Sequence, residues 1–563
     1  MFIRKKTSPN TKKTSVQIVE SSRTGNKVSQ KIIRHIGSAI NDFEVEKLIE
    51  LAEYVKARLE EESKPKIFPP EEIAELAIAQ RKREKEEEEL KVQLRDLREE
   101  QRVIVGIHEI YGQVYKELGY EHVFGTPARN LSNYQILKHL VMARIANPKS
   151  KRGSVLELEK DFGIQLDLNK VYRMMDKLGE EEIEKIKKIS YENAISLFEE
   201  SLDVIFYDCT TLYFESFTSD EIRENGYSKD GKFNQTQVIL SLLVTQSGIP
   251  IGYDLYSGST YEGHTLKDAL MRVKERYSIN KVIFVADSGL LSAENLRVLE
   301  SEGQPYIVGA RLKNMEKSVK DQILNKENYQ VNKEKSEEKL NEIILENKNR
   351  LIVSYSQKRA EKDKNDRIKG IERLEKKIGK GKSLKTVIGN MGGSKKYLEV
   401  EGDGKITINE AIIAEESKWD GLHGIITNIK DQTAEELMGH YRGLWQVEET
   451  FRITKHDLRV RPIFHWTERR IHSHIAICYI ALVCVRTLEY RLYRQYKKIS
   501  PEIIRNELIH VQLSILKDIK TGERYGMPSA LSTEVKKIYH IMGKKIDNTP
   551  DRKSTRLNSS HEW

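Results

Sequence analysis

A chain of 563 residues is too long for one hydrophobic core and implies three or four domains. Charged residues at 32% and apolar ones at 38% suit a soluble protein, and the longest strongly apolar run, Ile475–Val485 (IAICYIALVCV), is too short to span a bilayer. Cys209, Cys478 and Cys484 make neither a disulfide framework nor a zinc spacing, and no basic-then-apolar leader opens the chain, so a reducing cytoplasm and no membrane are expected.

The net charge of +9 is concentrated: residues 1–36 hold nine Lys/Arg against one acid, Glu20. Such a basic arm points to a polyanion such as nucleic acid. TSVQIVES and KVSQKIIRHIG alternate in strand fashion around an RTGN turn. Residues 1–62 thus read as a basic β-hairpin plus a helix from Asp42 to Leu59, with Lys5, Lys6, Lys12 and Lys13 as candidate DNA contacts. Residues 63–200 read as a helical region that is a candidate for binding DNA ends, with a Pro/Lys linker at Lys64–Pro70, a long charged helix or helix pair over Glu71–Arg102, and a helix over Asn133–Ala146 that breaks at NPKSKRG.

Strand patterns begin near residue 201. DVIFYDCTTLYF is one apolar run, TQVILSLLVTQSGIPIGYDLYSG reads as two strands joined at QSGIP, and KVIFVADSGLLS is a buried strand leading to a helix that Ser292 can cap. PYIVGAR is one more strand. A three-strand meander followed by strand-helix-strand is the order of an RNase H-like sheet, an order other mixed α/β folds share. The expected organisation is a first part of this core over 201–312 and a Lys/Glu-rich insertion domain over 313–418. A second part of the core follows over 419–500, and then a helical region over 501–550.

Two acids stand where strands are expected to end, Asp208 after VIFY and Asp287 after VIFVA. The rim of a sheet is where sites are usually built, although an isolated Asp there is more often a turn or cap residue. Adjacent strand ends could bring both carboxylates to one divalent cation. YRGLWQVEETFRITK reads as one helix that supplies a third acid. Seven residues are nearly two turns, so Tyr441, Glu448 and Lys455 share a face, joined by Trp445 and Arg452. Leu444, Val447, Phe451 and Leu458 make a stripe that can bury against the sheet. Glu449 is turned away by roughly 100°. An amphipathic helix with ion pairs such as Glu448–Arg452 accounts for the same spacing.

Together YDCTT, VADSG and YRGLWQVEETFRITK resemble the DDE transposases of bacterial insertion sequences, in the branch marked by a Tyr-x2-Arg-x3-Glu-x6-Lys helix. Tyr441, Glu448 and Lys455 match; Leu444 stands where that branch has Arg, and Arg442 or Arg452 is the candidate to replace it. ENGYSKDGKFNQTQ, YEGHTL and RPIFHWTERRIHSHI extend the likeness over nearly the whole chain. The resemblance implies an RNase H-like catalytic core with Asp208, Asp287 and Glu448 holding Mg2+, with Mn2+ as an alternative. It implies cleavage at inverted-repeat ends and joining of the 3′-OH to target DNA. Tyr441, Arg452 and Lys455 would contact the backbone, and Trp445 would stack on a base or belong to the core. The partners it implies are double-stranded DNA, both transposon ends and target, and a second copy of the chain in a homodimeric DNA complex. The location would be cytoplasmic, nucleoid-associated when bound to DNA. An RNase H-like nuclease without strand transfer and an inactive DNA-end-binding relic are the rival readings. The final segment, DRKSTRLNSSHEW over 551–563, is unlike the rest; Asp551–His561 reads as the translation of a sequencing-library adapter.

Overall fold

The computed structural model describes residues 1–8, 13–24, 27–62, 93–125, 127–196, 203–215, 218–226, 234–260, 265–277, 282–290, 292–332, 337–378, 396–400 and 406–552. The chain divides into two units, Met1–Leu94 and Arg95–Trp563. In the first unit, β1 (Phe2–Thr7), β2 (Thr14–Thr24) and β3 (Lys27–Ala39) form an antiparallel sheet, one strand more than the expected hairpin. The helix α1 (Asp42–Glu62) is started by Asn41, whose side chain accepts from the Glu44 amide at 2.7 Å. Val16 and Ile18 pack with Val45 and Ala52 in a small core. Lys5, Lys6 and Lys13 are exposed, whereas Lys12 and the Lys64–Pro70 linker lie outside the described residues.

The second unit opens with β4 (Leu97–Ile104). The helix expected through Arg102 is therefore a strand at its end, and 63–92 lie outside the described residues. Helices α2 (Gly106–Glu117), α3 (Pro127–Ala146), α4 (Lys151–Phe162), α5 (Leu168–Lys177) and α6 (Glu180–Ser196) follow. The NPKSKRG break is the start of α4, where the Ser150 hydroxyl accepts from the Gly153 amide at 3.2 Å.

The next segment builds the large sheet. It runs β5 (Val204–Tyr213), β6 (Gln237–Thr245), β7 (Pro250–Ser257), α7 (Thr265–Tyr277), β8 (Ile283–Ala286), α8 (Ala293–Ser301) and β9 (Tyr306–Gly309). Then come α9 (Lys317–Leu324), β10 (Gln330–Val331), β11 (Glu338–Ile344), β12 (Arg350–Ser356) and α10 (Gln357–Ile378). After these are β13 (Leu398–Val400), β14 (Ile406–Ile408), α11 (Glu410–Ser417) and β15 (Leu422–Thr427).

The order in the nine-stranded sheet is β10-β11-β12-β15-β9-β8-β5-β6-β7. The chain runs β5, β6 and β7 as an antiparallel meander, and β8 and β9 are parallel to β5. Burial explains the unbroken apolar runs. In β5, Val204 and Phe206 enter one core and Ile205 and Tyr207 the other, so both faces are covered. The expected insertion domain does not stand apart over its whole length. Its strands β10–β12 extend the main sheet, because Leu340, Ile343, Leu351, Ile352 and Val353 are buried there.

The chain ends with α12 (Ala434–Arg442), α13 (Trp445–Arg452), α14 (Glu468–Gln495), α15 (Pro501–Ile509), β16 (Gln512–Asp518), β17 (Arg524–Pro528), α16 (Thr533–Ile541) and β18 (Asp551–Arg552). The apolar run Ile475–Val485 is the buried centre of α14, which packs on α2, α3, α5 and α6 and on β7. By length and apolar content α14 could cross a membrane, yet 94% of its most apolar window is buried within the protein, as in the core helix of a soluble fold. The expected all-helical region after residue 500 instead holds a hairpin. The strands β16 and β17 join β4 and β18 in a four-stranded sheet. Of the foreign-looking tail, Asp551 and Arg552 pair with Gly526 and Tyr525, and 553–563 lie outside the described residues.

Candidate active site

Register places the first two acids. In the parallel pair β5–β8 the last partners are Tyr207 and Ala286, so Asp208 and Asp287 are the next residues on neighbouring strands. Asp287 lies just past the end of β8, as expected. Asp208 does not end its strand. β5 continues to Tyr213, paired with β6 throughout, because Cys209–Leu212 stay buried. What ends at Asp208 is only the pairing with β8. Alternation along β5 puts Asp208 on the face of Phe206, the face on which α13 packs. Each acid also accepts a backbone amide, Asp208 from Cys209 at 2.7 Å and Asp287 from Ser288 at 2.6 Å.

The stretch YRGLWQVEETFRITK is not one helix. α12 stops at Arg442, α13 starts at Trp445, and Ile453–Asp457 wind as a π-helical turn. The break has a packing cause. A Cβ on Gly443 would lie 2.2 Å from Phe206 Cζ, so only glycine lets the chain approach β5 this closely. Tyr441, Glu448 and Lys455 thus lie on three consecutive segments, although Gly443 and Leu444 keep right-handed helical dihedrals and Tyr441 still feels the charge of Glu448. The stripe itself is as expected, with Leu444, Val447, Phe451 and Leu458 buried. A buried arginine fixes α13 from behind. Arg486 donates to Gln446 Oε1 at 2.9 Å and to the Gly248 carbonyl at 2.8 Å, and pairs with Glu489 at 2.5 Å.

Tyr441 connects the acids. Its ring is buried, its phenol donates to Asp287, and burial together with the charges of Asp287 and Glu448 pushes its pKa up. Glu448 and Asp287 are exposed and Asp208 is half-buried. Lys455 is half-buried in the π-helical turn. Trp445 and Arg452 belong to a different neighbourhood. Arg452 binds Glu449 through two contacts of 2.8 Å and lies 3.5 Å from Asp457, in place of the expected Glu448 pair. Trp445 is 45% exposed, hence not core, and the Lys498 ammonium sits 4.4 Å from its ring centre. Arg442 is held by Glu338 of β11. Both candidate replacements for the missing arginine are thus engaged with carboxylates.

Two residues near the acids carry no motif. His423 in β15 has its ring 5.2 Å from that of Tyr441, and burial, then Arg359, brings its pKa down to about 4. Arg359, on the first turn of α10, acts on Tyr441 as well. Arg359 follows the strand-like LIVSYS and His423 lies within the strand-like LHGIIT, both next to Lys/Glu-rich sequence, the one local signal that could have drawn attention to them.

Three carboxylates on neighbouring elements are the oxygen donor set a hard divalent cation takes. Among the described residues, however, no three His, Cys, Asp or Glu are gathered closely enough to form a ready metal site. The donor chemistry of Asp208, Asp287 and Glu448 fits Mg2+ or Mn2+.

No curated protein matches the chain. Among solved structures, the piggyBac transposase synaptic complex with hairpin DNA is 10% identical, covering 72% of this chain and 76% of that one, with a TM-score of 0.33. The Mos1 transposase paired-end complex with the left transposon end is 14% identical over 31% of this chain and 58% of that one, with a TM-score of 0.14. The Mos1 mariner paired-end complex with Mn is 15% identical over 28% and 54%, with a TM-score of 0.13. At such TM-scores the overlaps define no shared fold. The transposase DDE domain model matches residues 199–484, a span that holds Asp208, Asp287 and Glu448 and more than half of the sequence. The chain belongs to the transposase DDE domain family.

Proposed function

We propose that this protein is the transposase of a bacterial insertion sequence, with an RNase H-like core that cuts inverted-repeat ends and joins their 3′-OH groups to target DNA. The observation that supports the proposal is the β5–β8 register, whose last pair, Tyr207 and Ala286, immediately precedes Asp208 and Asp287, together with the packing of α13, which carries Glu448, against β5. These three would hold Mg2+ or Mn2+. When bound, such ions lower the pKa of a water or a 3′-hydroxyl and neutralise charge on the leaving oxygen.

The other residues position. The Tyr441 phenol orients Asp287, and Gln446, held by Arg486, fixes the rotation of the helix bearing Glu448. Lys455 would grip a backbone phosphate, and the exposed face of Trp445 offers a platform for a displaced base. The exposed Lys5, Lys6 and Lys13, with Lys12 between them in sequence, would contact the transposon ends. A homodimer would hold two ends together, in the cytoplasm at the nucleoid.

The test is incubation of the purified protein with labelled DNA from the inverted repeats flanking its gene, in Mg2+ and in Mn2+. Cuts that leave 3′-OH ends and joined products support the proposal. Cuts without joined products would identify a nuclease, and binding without cuts an inactive relic.

A further inference from the structure

A second site lies away from the acids. A cavity of about 340 Å3 opens between the α3–α4 turn and the loop before α14. Six cations line it, Arg144, Lys149, Lys151, Arg152, Arg459 and Arg461, and among the described residues its lining includes no Asp or Glu. Two of the six are buried. Lys151 is 3% exposed and Arg144 is 4% exposed. Cations almost never go fully inside unless something compensates them. The compensation here is neutral. Lys151 Nζ lies 3.2 Å from His474 Nδ1, and His474 Nε2 is 3.1 Å from the Val460 carbonyl, so an uncharged ring accepts from the ammonium. Arg144 donates to the carbonyls of Lys149 at 2.9 Å and of Leu458 and Arg459 at 3.4 Å. Burial, with Arg144 nearby, brings the Lys151 pKa down to about 7, and it also holds His465 and His474 neutral.

Two further features aim at an anion. The amino end of α4, a twelve-residue helix capped by Ser150, begins at Lys151 and adds its positive dipole end. Arg459, a lining residue, has φ +42°, a strained conformation for a non-glycine residue of the kind that clusters at ligand clamps. The cavity also has a fixed relation to the acids. Ile463 bridges to Phe214, six residues beyond Asp208 along β5 and its continuation. At about 3.3 Å per residue that is roughly 20 Å, on the order of half a turn of B-DNA.

We propose that this cavity is a phosphate cradle that takes one backbone phosphodiester of the DNA, about half a duplex turn from the bond being cut. The cradle rests on the transposase reading for the identity of its ligand. Lys149 is paired with Glu157 at 3.5 Å, whereas the buried Lys151 and Arg144 meet a neutral ring and backbone carbonyls, and a single phosphodiester supplies the negative charge those contacts do not. A free phosphate presents the same oxygens, and the experiment separates the two sources.

The full-length protein is melted in inorganic phosphate and in chloride of equal ionic strength, as wild type, Lys151→Met and Arg152→Ala. Arg152 is exposed, so its loss leaves folding intact. The expected result is a rise in Tm with phosphate in the wild type, abolished in Lys151→Met and reduced in Arg152→Ala. In DNA binding, the slope of log affinity against log salt should shrink by about 0.9 for each phosphate that a variant no longer neutralises. No phosphate shift in the wild type, or a shift that survives in both variants, overturns the cradle. A shift lost in the variants with an unchanged DNA slope means a free phosphate ligand and overturns the DNA assignment. Retained cradle behaviour in a protein that never cuts terminal-repeat DNA would instead sink the transposase reading alone.

Discussion

Gly309→Ala tests the contact between Tyr441 and Asp287 without touching a charged group. Gly309 ends β9, and a Cβ there would meet the Tyr441 hydroxyl at 2.5 Å, the Ser288 amide nitrogen at 3.0 Å and Ser288 Cβ at 3.3 Å. A phenol cannot bend out of the way, so the ring must shift as a body and draw its hydroxyl off Asp287. Overpacking of this kind costs about 1–3 kcal/mol. Tyr441→Phe removes the clashing atom and also the hydrogen bond to a charged partner, a loss of about 1.5–3 kcal/mol. In the double variant the hydroxyl clash is gone and only the tight Ser288 contacts remain, so the two effects should fall short of their sum by about 1 kcal/mol. Urea denaturation of the four proteins gives the cycle, and end cleavage run in parallel should fall in both single variants. Additivity within about 0.5 kcal/mol, the behaviour of independent sites, would refute the reasoning.

Glu448→Ala should leave stability within about 0.5 kcal/mol, since the side chain is exposed, and should reduce end cleavage to background while gel shifts on terminal-repeat DNA are unchanged; parallel loss of binding would make the residue structural. Converting Lys5, Lys6 and Lys13 together to Gln should lower the salt slope of DNA binding by up to about 2.7, at 0.9 per phosphate, and an unchanged slope would show that the arm touches no DNA. Lys151 binds a proton less readily folded, at about 7, than unfolded, at 10.5. Between those values the unfolded chain carries the extra proton, so this group makes stability rise with pH. Lys151→Met should flatten that rise by on the order of 1 kcal/mol per pH unit, read by denaturant titration from pH 7.5 to 10, and an unaltered slope would mean the lysine is solvated. Truncation after Pro550 removes β18 and the adapter-like segment; a two-residue edge strand should matter little, giving a Tm change under about 2 °C, with a larger fall showing that the segment is part of the fold.

The meander, the two aspartates and the buried central helix were legible because each is written locally. VIFY and VIFVA are runs buried on both faces, and IAICYIALVCV has apolar residues all round. The broken helix at Gly443 was not, since the reason for the break is Phe206, more than two hundred residues earlier. Periodicity carries a face through a helix but cannot see what presses on it. The partner of Arg452 is not legible for a related reason: Glu448 and Glu449 stand at equally good helical spacings from it, and the choice falls to the tertiary setting. LREEQRVI, half of it charged, suggests a helix; its strand state comes from β16, some four hundred residues on. β11 and β12 were hidden by Lys/Glu-rich flanks, and with them went Arg359 and His423, whose closeness to the acids exists only once β12 and β15 pair.

The position of α14 sets the order in which the molecule can be completed. The helices α2, α3, α5 and α6 close their core on residues 468–495. About 300 residues must be synthesised after α6 before that helix is finished, roughly 15–60 s at 5–20 residues per second. Throughout that interval the apolar faces of the earlier helices have no partner, and the nascent chain is a client for holding chaperones. A translation product that stops before Glu468 would be an open chain with neither half assembled, so premature termination should yield degraded protein and no stable DNA-binding fragment from residues 95–467.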